Sequence, residues 1–447
     1  MNDTQGGRVV ATHRATHHRT GRRVLAITVV ICGLAATLAA CSEDRTSTSG
    51  APTTVASTCS SADLLTCARR SSISDLVPDQ PTPATGQPIT IGMINQENTP
   101  AGSFPELSQT AQAFAKWFNT ELGGIDGRPL RIDVCNTGFS AEGSTACGQR
   151  FAEAGVPAVL GGIDVFGNAI DSLADNAIPY AGGIPVSVQS MTSPTSFQWS
   201  GGTWGAAVGF ADYIARELKA ERVAIVYGDF GSIADGAREG EAKLRELGVS
   251  QVQLVPFPVI STDLGSPLQA AWSSKPDAIV VLAADTACKA AFDAVHTIGI
   301  TSQMFYVGAC ATPNVTNAVG DKANGAYFNV EGPVDAKDPD PDTELYTSVL
   351  AAMDPAVNPV GAGTVSARSL VNLYAVMRDL GADRLDAASI TQALRSQRGT
   401  SSFMGHDYTC DGQQFPGLPA TCSPQQIIVR LDSGVIEQVS DWIDVGG

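Results

Sequence analysis

Histidine is scarce in this chain of 447 residues: there are five, and only His296 and His406 lie beyond the first eighteen positions. General-base chemistry of the usual kind therefore has few candidates. Neither histidine stands at ligand spacing from a cysteine, so the sequence offers no zinc site. A Gly-x-Ser-x-Gly elbow, a Gly-Lys-Ser/Thr phosphate loop and a His-Glu-x-x-His helix are all missing, and together these absences count against an enzyme. Basic residues are also few, 28 Lys and Arg against 45 Asp and Glu, for a formal net charge of −17. Nucleic acid as a partner is excluded by that balance, because phosphates need a basic footprint.

What is present is a globular composition, 43% apolar, with length for two or three domains. Arg8, Arg14, Arg19, Arg22 and Arg23 precede an apolar run over 24–40 that ends in Leu38-Ala39-Ala40-Cys41. This reads as an export signal with a small-residue cleavage site. It closely resembles a bacterial lipoprotein signal, which implies cleavage before Cys41 and a lipid on its thiol. The other reading is an uncleaved anchor, and either places the remainder outside the cytoplasm, on the outer face of the cell membrane. Cleavage would leave 23 basic and 44 acidic residues. Setting aside Cys32 and Cys41, eight cysteines remain, an even number that reads as disulfides in an exported chain. Local spacing pairs Cys59 with Cys67, Cys135 with Cys147 and Cys410 with Cys422, which leaves Cys288 for Cys310.

Residues 41–87 are rich in Ser, Thr and Pro and are expected to be a disordered tether. An apolar strand over 89–94 then gives way to Asn95, Gln96, Glu97 and Asn98, an amphipathic helix runs from Leu107 to Leu122, and a second strand follows at 130–134. Further strands are expected at 157–161 and 178–181, then in a second series at 222–227, 251–255, 277–282 and 304–307. Residues 196–202 and 325–330 read as crossings between the two series. A final strand pair, 426–431 and 435–439, is joined by Asp432-Ser433-Gly434. The expected class is α/β, with two Rossmann-like lobes of parallel strands joined by a multi-strand hinge. The first lobe takes 88–201 and 331–400, the second takes 202–330, and 401–447 returns to the second lobe. Ligands in such sheets sit beyond the carboxyl ends of the strands.

The runs Ile91-Gly-Met-Ile94, Phe118-Asn-Thr-Glu-Leu-Gly-Gly-Ile-Asp-Gly-Arg-Pro-Leu130, Leu160-Gly161, Ile178-Pro179, Val223-Ala-Ile-Val-Tyr227 and Gly320-Asp321 together resemble substrate-binding proteins of branched-chain amino acid ABC transporters, over about residues 88–440. The resemblance implies a type I periplasmic-binding fold and a monomeric extracytoplasmic receptor without cofactors. Such a receptor closes on a small solute and docks on an ABC permease. It also implies a pocket. Relatives bind the ligand carboxylate with hydroxyls after the third and fourth strands, where this chain reads Asp164-Val165-Phe166-Gly167-Asn168 and Gly183-Ile184-Pro185-Val186. The acid that clamps the ligand ammonium falls near Gly308 and is missing, with Asp285 as a substitute or as the cap of the next helix.

The candidate ligand contacts are therefore Gln96, Asn98, Phe104, Asp164, Phe166, Asn168, Gly183, Pro185, Phe230, Ser232 and Asp285. Gln96 and Asn98 offer amides, and Phe104 or Phe230 a ring. The strand-end loops considered hold no Lys or Arg, which favours a neutral polar or cationic solute such as an amide, a urea-like compound or an amine. Asp338, Asp340 and Asp342, spaced by prolines, read as a solvated loop. A ligand-sensing protein that reports to a surface receptor is the alternative to uptake.

Overall fold

Alternation in the first strand gives way to near-complete burial, as expected of a parallel strand covered on both faces. The computed structural model describes residues 59–99, 102–283, 286–333 and 340–446, so the signal region, Cys41, Asp285 and Asp338 lie outside the described residues. The first sheet holds β1 (Ile89–Asn95), β2 (Leu130–Asn136), β3 (Val159–Gly161), β4 (Tyr180–Ala181) and β5 (Ser196–Phe197), in the order β2-β1-β3-β4-β5. All of its pairings are parallel. Helices Pro105–Thr120, Ala141–Ala154 and Asn168–Asp175 make the crossovers. Gly92 lets one of them approach: a Cβ there would sit 2.8 Å from the ring of Phe151.

The second sheet holds β6 (Arg222–Gly228), β7 (Gln251–Phe257), β8 (Ala278–Leu282), β9 (Gln303–Tyr306), β10 (Tyr327–Val330), β11 (Ile427–Asp432) and β12 (Val435–Gln438), ordered β12-β11-β10-β9-β8-β6-β7. It is parallel from β6 to β10, and β11 and β12 are antiparallel. Ser433 and Gly434 both have positive φ, 51° and 82°, the geometry a two-residue hairpin turn needs. Residues 327–330, expected as a crossing, are a strand inside this sheet, since β9 and β11 bracket them. The crossing itself begins at Glu331.

Helices Pro341–Met353 and Gly363–Leu380 return to the first lobe. Their Tyr346 and Tyr374 join Phe114 and Phe118 in its core, with Phe118 and Tyr374 stacked at 4.0 Å between ring centroids. The Gly-Gly-Ile-Asp-Gly-Arg-Pro run forms the turn into β2. Gly124 has φ +58°, a Cβ on it would lie 2.2 Å from the Arg128 carbonyl, and its own carbonyl accepts the Tyr374 hydroxyl at 2.7 Å.

Three further sequence-based expectations change here. Residues 59–87 are not a free tether: Leu64, Leu65, Cys67, Ala68 and Ile73 are buried in the first-lobe core. The Ser/Pro-rich composition hid that short apolar helix. Asp342 is not solvated; it is 6% exposed and accepts from the backbone N–H and hydroxyl of Ser72, both at 2.7 Å, and from the Met404 N–H at 2.8 Å. Asp340 caps the helix behind it by accepting from Asp342 and Thr343 N–H. Finally, residues 403–422 add Phe403, Tyr408, Cys410 and Cys422 to the first-lobe core, and only 427–438 complete the second sheet. The four disulfides among the described residues join the three pairs that spacing suggested and the Cys288–Cys310 pair left by remainder.

Candidate ligand cleft

The strand-end loops of the two sheets face one another across a cleft of about 1920 Å³. On the first lobe its wall is made by Phe104, Phe139, Ile163, Val165, Ile184 and Val186. On the second lobe Phe230, Ile233, Phe257, Val259, Leu282 and Val307 complete it. These side chains arrive there because the chain leaves each parallel strand at its carboxyl end and turns back into a helix. The lobes already touch: the ring of Phe166 meets Phe230 at 6.0 Å and Phe139 at 5.5 Å, and the Ser232 hydroxyl donates to the Val186 carbonyl.

The floor of the cleft is polar and belongs to the hinge. The chain passes between the sheets after β5, after β10 and before β11. Glu331, on the second passage, gathers all three. One carboxylate oxygen accepts from the Ser200 hydroxyl at 2.9 Å, the Gly201 N–H at 2.8 Å and Gln426 Nε2 at 3.1 Å. The other oxygen accepts from Arg368 Nη2 at 2.6 Å, and Arg368 Nη1 donates to the Glu331 carbonyl at 2.6 Å. With side-chain exposures of 4% for Arg368 and 11% for Glu331, this is a buried ion pair. Asn329, beside it, donates to Gln426 Oε1 and accepts the Gly308 N–H.

Gln96, Phe104 and Phe230 line the cleft. Gln96 is 1% exposed; its Nε2 donates to the Gly102 carbonyl at 3.0 Å, and its Oε1 has no partner. Phe166 acts at the lobe-to-lobe contact just described. The remaining candidates among the described residues lie off the cleft surface, each occupied by local structure. Asn98 is exposed in a left-handed turn, φ 56°, whose N–H donates to Ser103 Oγ. Asp164 is 2% exposed; its Oδ2 accepts from Ser144 Oγ at 2.8 Å, its Oδ1 has no partner, and burial raises its pKa from 3.8. Asn168 opens its helix and offers its carbonyl to Ser172. Gly183, φ +90°, sits against Gly161 and donates its N–H to Ser369 Oγ. Pro185 is buried, with its carbonyl against Gly202. Ser232 is fully buried beneath its contact with Val186. Asp285 falls outside the described residues.

Arg368, Glu331 and Asn329 were not anticipated, because none follows a strand-end signal in the sequence. No cluster of His, Cys, Asp or Glu among the described residues has the grouping to hold a metal ion.

A family model described as periplasmic binding protein matches residues 88–418. The chain belongs to the periplasmic binding protein family. Its two lobes of α/β structure have the type I fold of that family, and family membership implies an extracytoplasmic location. Among solved periplasmic binding proteins it is similar to a leucine binding protein of Thermotoga maritima, with TM-score 0.66, 15% identity and coverage of 80% of this chain and 99% of the other. It is also similar to a branched chain amino acid ABC transporter protein of Thermus thermophilus with bound valine, at TM-score 0.67, 16% identity and coverage of 80% and 97%. A fatty acid ABC transporter substrate-binding protein of Thermomonospora curvata gives TM-score 0.67, 14% identity and coverage of 82% and 95%. At these identities the likeness speaks to the fold. No curated protein matches the sequence.

Proposed function

We propose that this periplasmic binding protein is the solute-binding component of an ABC importer, held at the outer face of the membrane by a lipid on Cys41 and delivering its ligand to a permease. The observation that carries this reading is a cleft walled by both lobes whose floor is the hinge itself. A solute that touches both walls binds the closed arrangement better than the open one and shifts the population by that difference. Histidine-poor walls and a family of substrate-binding proteins support a binding role over catalysis.

The relatives named above carry leucine-binding, valine-bound and fatty acid descriptions, so the fold alone does not select a solute. The loop chemistry favours a ligand without negative charge, as the sequence suggested. The walls do not favour a wholly polar one, since most of the loop polar groups are used by local structure. Affinity capture of the full chain from its own membranes tests the role. Recovery of a two-subunit permease is the expected result, and recovery of a sensor protein without a permease would assign signalling in its place.

A further inference from the structure

Among the described residues the exposed large apolar side chains are Val188, Ile260, Val360, Val435 and Val439, and Ile260, Val360 and Val435 all line the cleft, with exposures of 73%, 52% and 48%. Ile260 and Val435 stand on the second lobe and Val360 on the first. Deeper in, Val165, Ile184 and Val186 face the cleft from one lobe, and Ile233, Val259 and Leu282 from the other. Soluble proteins seldom leave contiguous apolar surface open unless something binds there.

Charge narrows the occupant further. The carboxylates of Glu106, Asp321 and Asp340 line the same space. Arg368 is the one cation among the described lining residues; its Nη1 and Nη2 donate to Glu331, which pairs its charge, and its buried Nε has no partner. An anionic head group would thus meet three carboxylates of like charge and a guanidinium whose own charge is already balanced by Glu331. Gln96 supplies a complementary feature: a buried Oε1 that accepts nothing from the protein. A buried acceptor without a donor is unfavourable, and a ligand hydroxyl or amine is the kind of group that relieves it.

From these observations, and resting on the solute-binding reading above, we propose that the ligand is an amphiphile whose apolar body spans the cleft between Val165, Ile184 and Val186 on one lobe and Ile233, Val259 and Leu282 on the other, and whose polar end carries no negative charge and donates a hydrogen bond to Gln96.

Calorimetric titration of the full chain in lipid nanodiscs, corrected with empty nanodiscs, compares octanol, octylamine and octanoate with leucine and urea. Binding of octanol or octylamine at least about tenfold tighter than octanoate, with leucine and urea weaker still, is the expected result; octanol against octylamine then distinguishes a neutral from a cationic end. Gln96→Leu should weaken the preferred compound about tenfold, and Val165→Ser, on the wall and away from the Gln96 loop, by a similar factor. Equal or tighter binding of octanoate overturns the uncharged end, and binding of leucine or urea alone overturns the apolar body while leaving a solute receptor in place. Absence of binding by every eight-carbon compound overturns the inference outright, and permease capture reports separately on the role in uptake.

Discussion

Asp164 is a carboxylate held almost without solvent behind the wall of the cleft. Burial raises its pKa above 3.8, against the opposing hydrogen bond from Ser144. Between the ordinary carboxylate value and the raised folded value, the folded chain holds a proton that the unfolded chain has lost. Asp164 therefore adds stability as pH falls through that interval, and the addition is lost as pH rises through the folded pKa. Comparison with Asp164→Asn isolates this site. As pH is lowered from neutrality toward 3.8, the melting temperature of the unmodified protein should gain on that of the variant. A difference that stays flat would show that folding does not raise the pKa of Asp164. The same residue explains why a strand-end Asp is a poor guide to ligand contacts: one oxygen accepts from Ser144, whose hydroxyl oxygen in turn accepts the Ala169 N–H of the following helix.

At the scale of elements, the segments that follow β8 and β9 line part of the second-lobe wall, and Cys288–Cys310 joins the helix Thr286–Ile298 to the turn after β9. The bond spans 22 residues of sequence, so the double substitution Cys288→Ala, Cys310→Ala should cost about 3 kcal/mol of unfolding free energy. Chemical denaturation measures this, and an unchanged midpoint would mean that the loops are held by packing alone. Buried strands such as Ile279–Leu282 and the glycine-rich turn at 123–129 were legible in the sequence because their local signals are strong. Other features were hidden by their context. Leu64 and Leu65 lie in a Ser/Pro-rich stretch, and the four-residue β10 is too short to display a period. Gln96 and Phe104 were found because the loop after the first strand must face the cleft. Arg368 lies on one face of a long helix, where sequence does not say which side the second lobe will approach.

For the molecule as a whole, Glu331 is the point at which hinge and cleft meet. Replacing it with Gln keeps the shape and leaves Arg368 buried without its charge partner, a loss of about 3–5 kcal/mol expected from broken buried pairs. The double substitution Glu331→Gln, Arg368→Met should recover most of that loss, because both charges are then gone. Equal destabilisation of the single and double variants would place the cost in the Ser200, Gly201 and Gln426 contacts instead. Since one carboxylate ties all three passages between the lobes, its removal should also loosen the coupling between ligand contact and lobe position.

Closure is the central claim, and small-angle X-ray scattering of the two-lobed unit, residues 57–447, measures it most directly. Titrated with whichever calorimetric compound binds, the unit should lose radius of gyration in step with saturation and reach a plateau when the cleft is filled. A scattering curve that does not change at saturation would contradict a receptor that closes on its solute.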